Sequence, residues 1–163
     1  MVYDMMKTRN MVGAFLESGD DILMLHRDGG KALEPNKWTG VGGHIEADEL
    51  NDPLAACLRE IEEETGISRS NIRDLKLRYI TINHKQDEIR IAFYFFGRLM
   101  EPERIITTRD GIMQWTPRDM LLSHDLSNAV RHVFEHWLRF GNSEKIHVCT
   151  IDNEKAEVRI ASI

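Results

Sequence analysis

The chain has 163 residues, 42% of them hydrophobic and 29% charged, which is typical of one globular domain with a substantial core. Its formal net charge of −6 argues against the broad basic surface with which proteins bind nucleic acid polymers. The sequence has no apolar run long enough to span a membrane and no charged-then-apolar leader, so we expect a cytoplasmic protein without membrane contact.

The first half of the chain predicts a strand pair followed by a helix. Two apolar runs, 10–16 and 21–26, flank a short polar turn and are typical of a β-hairpin. After a long loop, a helix is predicted over 53–65. Asp52 suits its N-cap, the proline at its first position suits the first turn, and Gly66 suits the left-handed residue that ends a helix.

The second half predicts further strands and one more helix. The strands are expected over 72–83, 89–99 and 111–116, and the middle of the second is apolar throughout, which indicates burial on both faces. A helix is predicted over 127–140, and a β-hairpin is predicted within about 145–163. Many strands, two helices and no internal repeat together predict an α/β sandwich with a single core.

The predicted helix at 53–65 carries an unusual cluster of acids. Glu60, Glu63 and Glu64 stand at i, i+3 and i+4, so they share one face, with Cβ atoms about 5–6 Å apart. Like charges this close destabilise a helix unless a cation lies between them, and a hard divalent ion takes such oxygen ligands. Arg59 can hold a carboxylate through its planar fork. An apolar stripe on another side predicts the buried face: Leu54, Leu58 and Ile61.

The segment from Gly43 to Ile67 resembles the signature of the Nudix hydrolases. That signature reads glycine, five residues, glutamate, seven residues, then Arg-Glu-aliphatic-x-Glu-Glu-x-Gly-aliphatic. Gly43 and Glu49 match its first part, and residues 59–67 match its last part at every specified position. Nine residues separate Glu49 from Arg59 where the family has seven. We expect the extra pair to lengthen the loop before the helix, which leaves the acidic face intact and affects where Glu49 lies.

The resemblance implies one Nudix hydrolase domain over 1–163, an α/β/α sandwich around a mixed β-sheet, with the signature at 43–67 and the hairpin as an extension. It implies a pyrophosphohydrolase that uses Mg²⁺ or Mn²⁺. The residues with implied catalytic roles are Glu49, Arg59, Glu60, Glu63 and Glu64. Those implied to bind metal are Gly42, through its carbonyl, Glu60, Glu63, Glu64 and Asp110, which stands where the family often has a further acid. The general base stays open among Glu49, Glu60, Glu64 and Asp110.

Two segments, 37–43 and 114–117, resemble the MutT-like branch of that family, which removes oxidised purine nucleoside triphosphates. This resemblance, together with the position of polar residues before and at the start of the last helix, suggests a set of substrate-binding candidates: Trp38, Thr39, His44, Trp115, His124 and Asn128. A tryptophan can stack on a base but is more often a core anchor, and an asparagine amide can bond two edges of a purine.

Three functions compete at this point. The first is conversion of an oxidised or ordinary purine dNTP to dNMP and pyrophosphate. The second keeps the chemistry but takes a nucleotide sugar, ADP-ribose or a dinucleoside polyphosphate. The third is a non-catalytic nucleotide sensor, against which the intact acids argue. The expected partner is a small-molecule nucleotide, the chain is expected to be a monomer or homodimer, and the C-terminal hairpin either completes a sheet or forms a dimer contact.

Overall fold

The computed structural model describes residues 5–30, 34–102, 107–108 and 110–163 and is organised around a mixed β-sheet. The strands are β1 (Lys7–Ser18), β2 (Asp21–Arg27), β3 (Trp38–Thr39), β4 (Val41–His44), β5 (Ile72–Lys85), β6 (Glu88–Leu99), β7 (Thr107–Thr108), β8 (Gly111–Pro117), β9 (His147–Asp152) and β10 (Glu157–Ser162). The two α-helices of the described part are α1 (Pro53–Thr65) and α2 (Asn128–Phe140). The predicted strands and helices are therefore confirmed, with ends shifted by a few residues.

The strand order in the sheet is β10-β9-β5-β6-β1-β2-β8-β7, with β3 paired to β2 and β4 paired to β1. The pairs β1/β6 and β5/β9 are parallel, and the other pairs are antiparallel. The C-terminal hairpin, β9 and β10, extends the sheet from the edge of β5. Of the two roles expected for this hairpin, the structure shows sheet completion.

The two helices cover opposite faces of the sheet, as the alternation of side chains along β1 shows. Val12, Ala14 and Leu16 lie in the core cluster under α1, whereas Phe15 lies in the cluster under α2. Strand β6 divides in the same way, with Phe95 under α1 and alternate aromatic residues under α2. Burial of β6 on both faces is thus confirmed, and so is the prediction of an α/β/α sandwich around a mixed sheet.

Helix α1 begins and ends as its sequence predicts, but its buried side only partly matches the predicted stripe. The Asp52 carboxylate accepts from the Ala55 amide at 3.1 Å, and Gly66 ends the helix at φ 71°. The buried residues of α1 are Ala56, Cys57, Ile61 and Thr65. Of the predicted stripe, Ile61 is buried and Leu58 is half-buried against the core cluster under α1, so the prediction was wrong only at Leu54. Leu54 is left 37% exposed.

No helix in the residues that the structure describes is both long enough and apolar enough to cross a bilayer.

Candidate active site

Two different structural requirements explain the glycines at 42 and 43 in β4. Gly42 lies in β4 opposite Gly13 of β1, and a Cβ there would lie 2.0 Å from the backbone oxygen of Val12. A Cβ on Gly43 would instead lie 2.6 Å from the carboxylate of Glu60 on α1. The first glycine is therefore required by the strand pairing, while the second leaves room for an acidic side chain of the helix.

Arg59 lies at the centre of the signature and binds three of its glutamates. Its guanidinium holds Glu49 through two bonds, Nε to Oε1 at 2.7 Å and Nη2 to Oε2 at 2.8 Å. Nη1 donates to Glu60 at 2.9 Å and to Glu63 at 3.1 Å. Nη2 also donates to the carbonyl of His44 at 3.1 Å, which ties α1 to the end of β4. One planar cation thus fixes acids from the loop and from the helix in a common position.

A 3-10 turn and a helix cap connect the end of β4 to α1. The chain makes a 3-10 turn over Ala47–Glu49, in which the Glu49 amide donates to the Glu46 carbonyl at 3.0 Å. The Glu49 carboxylate accepts in return from the Glu46 amide at 3.1 Å. Asp52 then caps the helix. Although the spacing differs from that of the signature, Glu49 still reaches Arg59.

The carboxylates around Arg59 differ in their affinity for protons. The hydrogen bond from Arg59, helped by the Glu46 amide, lowers the pKa of Glu49 to about 2. Glu60 is half-buried, and its burial raises its pKa above the ordinary value even though Arg59 acts in the opposite direction. Glu49 is therefore anionic at neutral pH, whereas Glu60 holds a proton more readily than an exposed glutamate does.

The oxygen donors at this site fit a magnesium ion by their chemistry. Within the ranges that the structure describes, no three His, Cys, Asp or Glu side chains are grouped as a metal cage. The reason is that Arg59 draws the carboxylates of Glu60 and Glu63 onto itself. Mg²⁺ binds through one or two carboxylates plus water and substrate phosphate, so it does not need a complete protein cage. Glu64, half-buried one position further along, adds another carboxylate.

Asp110 is held by backbone hydrogen bonds in the turn before β8. Its amide donates to the Thr108 hydroxyl at 3.1 Å and its carbonyl accepts from the Asp28 amide at 3.0 Å. None of the contacts shown by the described residues joins Asp110 to the glutamates held by Arg59, and its role as a metal ligand stays a prediction.

A stack of three rings lies on the α2 face of the sheet. The indole of Trp38 lies between the imidazoles of His26, at 4.7 Å between ring centroids, and His124, at 4.2 Å. Burial, together with the proximity of His26, lowers the pKa of His124, so the stack favours a neutral imidazole there. Thr39, the next residue of β3, is buried. Sequence reasoning missed His26 because only the pairing of β2 with the two-residue strand β3 sets it opposite Trp38.

The remaining substrate-binding candidates lie in three different places. Asn128, at the start of α2, donates to the Asn153 side chain at 2.8 Å, and Asn153 donates to the Asn83 side chain at 2.5 Å. This chain of amides links α2, the C-terminal hairpin and β5, and the sequence does not reveal it. The side chain of His44 is exposed at the end of β4. Trp115 packs against the core cluster under α1, so the structure does not bring it to the face that carries Asn128.

Comparison with known proteins identifies the family. The model of the NUDIX domain matches residues 7–138, so the chain belongs to the NUDIX domain family and the prediction made from the signature is confirmed.

Several solved structures share the fold. The MutT protein from Bacillus halodurans is 20% identical, with 93% of this chain and 97% of that chain covered and a TM-score of 0.65. The MutT NUDIX hydrolase from Burkholderia pseudomallei is 25% identical over 79% of this chain and 97% of that chain, with a TM-score of 0.62. The Ap4A hydrolase from C. elegans is 14% identical over 82% and 96%, with a TM-score of 0.63. Together with the family match, these hydrolases support a pyrophosphohydrolase.

Proposed function

We propose that the protein hydrolyses a nucleoside triphosphate, with an oxidised purine dNTP as the expected substrate, to the monophosphate and pyrophosphate. The observation that carries the proposal is the Glu60 carboxylate, which packs on Gly43 and is held by Arg59. This half-buried acid lies beside a strand-to-helix loop and is fixed by a guanidinium that also binds Glu49. Burial of such charges lowers the stability of the fold, so stability does not account for the arrangement. Such an arrangement suits a site that must present several charges in fixed positions.

The residues proposed to hold Mg²⁺ or Mn²⁺ are Glu60, Glu63 and Glu64, with the Gly42 carbonyl. A divalent ion bound there offsets phosphate charge and makes a bound water more acidic. Arg59 acts as a positioning residue, since its hydrogen bonds end on glutamates and on the His44 carbonyl. Glu49, anionic beside Arg59, fixes the orientation of that guanidinium. Of the candidate bases, Glu49 is disfavoured, because a base with a pKa of about 2 accepts protons poorly at neutral pH, and Glu60, Glu64 and Asp110 stay candidates.

The nucleobase is proposed to lie on the α2 face, near Trp38 and Asn128. Since the two imidazoles cover the faces of the Trp38 indole, the stack offers the outer face of the half-buried His124 ring beside the start of α2, where the Ser127 amide donates to the Trp38 carbonyl at 3.0 Å. The amide nitrogen of Asn128 is engaged by Asn153, which leaves its Oδ1 as the group that can accept from a base edge. Discrimination between oxidised and normal dGTP that is unchanged in Asn128→Ala would overturn this assignment.

The first experiment is a substrate panel with Mg²⁺ and then with EDTA, with products separated by chromatography. It contains 8-oxo-dGTP, normal dNTPs, ADP-ribose, a nucleotide sugar and a diadenosine polyphosphate. Release of pyrophosphate from a triphosphate supports the proposal, whereas turnover of a dinucleotide or sugar alone selects the second function. The related structures include both MutT proteins and an Ap4A hydrolase, so product identity has to decide the substrate class.

The proposed metal ligands are tested by Glu63→Gln and Glu64→Gln, which should lower turnover by orders of magnitude with the fold retained. A matched control is Glu62→Gln, since Glu62 lies on the same helix and is exposed. Near-wild-type turnover in both ligand variants would remove the proposed site.

A further inference from the structure

A second charged pocket lies at the end of the sheet, where β5 turns into β6. Its volume is about 280 Å³. We refer to it as the strand-end pocket, and its lining residues are Lys7, Arg9, Lys85, Gln86, Asp87, Glu88 and Arg90. None of them belongs to the signature, and sequence reasoning assigned them no role.

A buried glutamate holds the two arginines of the pocket side by side. Arg9 of β1 and Arg90 of β6 are direct partners in the parallel pairing of these strands. Both donate through Nε to the Glu88 carboxylate, Arg90 at 2.6 Å, and the Glu88 side chain is only 13% exposed. In the part of the chain that the structure describes, neither guanidinium has another hydrogen-bond or ion-pair partner. Their terminal nitrogens are therefore oriented in advance and available to a ligand.

The charge of the pocket opposes that of the chain. Four cationic side chains meet two acidic ones there, while the whole chain carries a net charge of −6. One of those acids, Asp87, pairs with Lys7 at 3.8 Å in an exposed position, and the other is the Glu88 bridge. A third carboxylate, that of Glu154, lies at the rim, where it accepts from the Gln86 amide at 3.2 Å, and the described lining keeps an excess of positive charge over these acids. Paired guanidinium forks of this kind match the oxygen atoms of a phosphate group.

The pairing of β4 with β1 places the pocket near the proposed active site. The Ile45 amide donates to the Asn10 carbonyl at 2.9 Å, so the chain leaves β4 beside the residue that follows Arg9. The signature loop and the strand-end pocket therefore lie at the same end of the sheet.

We propose that the strand-end pocket binds a phosphate group of a small molecule, held by Arg9 and Arg90 with Lys7 and Lys85 adding charge. This binding involves no divalent ion, because its donors are cations. It can be measured without turnover, whatever the outcome for the proposed hydrolysis.

The test is calorimetric titration of the whole protein with pyrophosphate and with inorganic phosphate, in EDTA, supported by ³¹P NMR. We expect Arg9→Gln and Arg90→Gln each to weaken binding about tenfold or more, because each removes charge-assisted hydrogen bonds. The matched control is Arg159→Gln, whose side chain is 82% exposed on β10. Lys85→Gln leaves the Glu88 bridge intact and should weaken binding a few-fold, which covers the case in which an arginine variant folds poorly.

Absence of binding to the wild-type protein would overturn the proposal, as would unchanged affinity in folded Arg9→Gln and Lys85→Gln variants. A loss of binding in Glu63→Gln with none in the arginine variants would place the phosphate at the signature instead and would also overturn it. Steady-state kinetics then shows whether the bound phosphate belongs to the substrate or to another molecule. A raised KM with unchanged kcat in Arg9→Gln assigns the pocket to the substrate, whereas an unchanged KM assigns it to a separate phosphorylated molecule.

Discussion

Replacing Gly43 with alanine should damage the proposed active site while sparing the fold. The new methyl group would lie 2.6 Å from the Glu60 carboxylate, whereas ordinary van der Waals contact begins at 3.4 Å. The carboxylate must therefore move by about 0.8 Å, which the far end of a flexible side chain can do. Since Glu60 is bonded to Arg59, the displacement also strains the contact at 2.9 Å between them.

A displacement of this size is expected to lower kcat strongly and to change the free energy of unfolding little. Misplacement of a catalytic group by about 1 Å can lower a rate about 10²-fold. We therefore expect kcat of Gly43→Ala to fall by about two orders of magnitude and Mn²⁺ affinity to fall with it. The free energy of unfolding should change by less than about 1 kcal/mol, since no backbone atom has to shift.

The assays are steady-state hydrolysis of the best substrate in the panel, Mn²⁺ titration followed by EPR, and urea unfolding. Gly42→Ala is the informative contrast, because its Cβ would lie 2.0 Å from the backbone oxygen of Val12. We expect it to destabilise the fold by about 3 kcal/mol, which lowers Tm by about 6–12 °C in a chain of this size. Gly30→Ala, where no atom lies within 4 Å of the new Cβ, should be neutral in each assay.

Wild-type kcat and Mn²⁺ affinity in Gly43→Ala would refute the reasoning, because they would show that the position of the Glu60 carboxylate does not matter for activity. An equal loss of stability in Gly43→Ala and Gly42→Ala would also refute the reasoning, because the two adjacent glycines would then have the same structural role.

Two further predictions concern protonation. Arg59→Gln should raise the pKa of Glu49 from about 2 towards its ordinary value, because the guanidinium that stabilises the anion is gone; carboxyl NMR titration measures this shift. The pKa values of His136 and His147 are lowered by burial, so on acidification the unfolded chain binds protons first. The contribution of these histidines to stability should therefore be complete above about pH 6.5 and decline as the pH falls towards their folded pKa values, which urea midpoints between pH 8 and 5 measure.

Each of these predictions has its own check. Arg98→Gln is the control for the arginine variant, since Arg98 pairs with Asp74 at an exposed position, and it should leave the titration of Glu49 unchanged. An equal shift in both variants would contradict a specific role for Arg59. A double variant with glutamine at 136 and 147 should flatten the pH dependence of stability, and an unaltered pH profile would exclude these histidines as its cause.

Local patterns were sufficient for much of what the sequence predicted. The cap at Asp52, the left-handed Gly66 and the spacing of the acids on α1 depend on residues within a few positions of one another. The signature from Gly43 to Ile67 is likewise one continuous segment, and the family match confirmed the family that it indicated.

The tertiary structure alone decided which distant residues meet. The predicted apolar stripe was wrong at Leu54, because which side of a helix is buried depends on how it packs on the sheet. The stacking of His26 on Trp38 and the pairing of Arg9 with Arg90 arise from strand register. The alternation of apolar residues and the turns constrain register within a hairpin, but which strands distant in the chain become neighbours depends on the packing of the whole sheet.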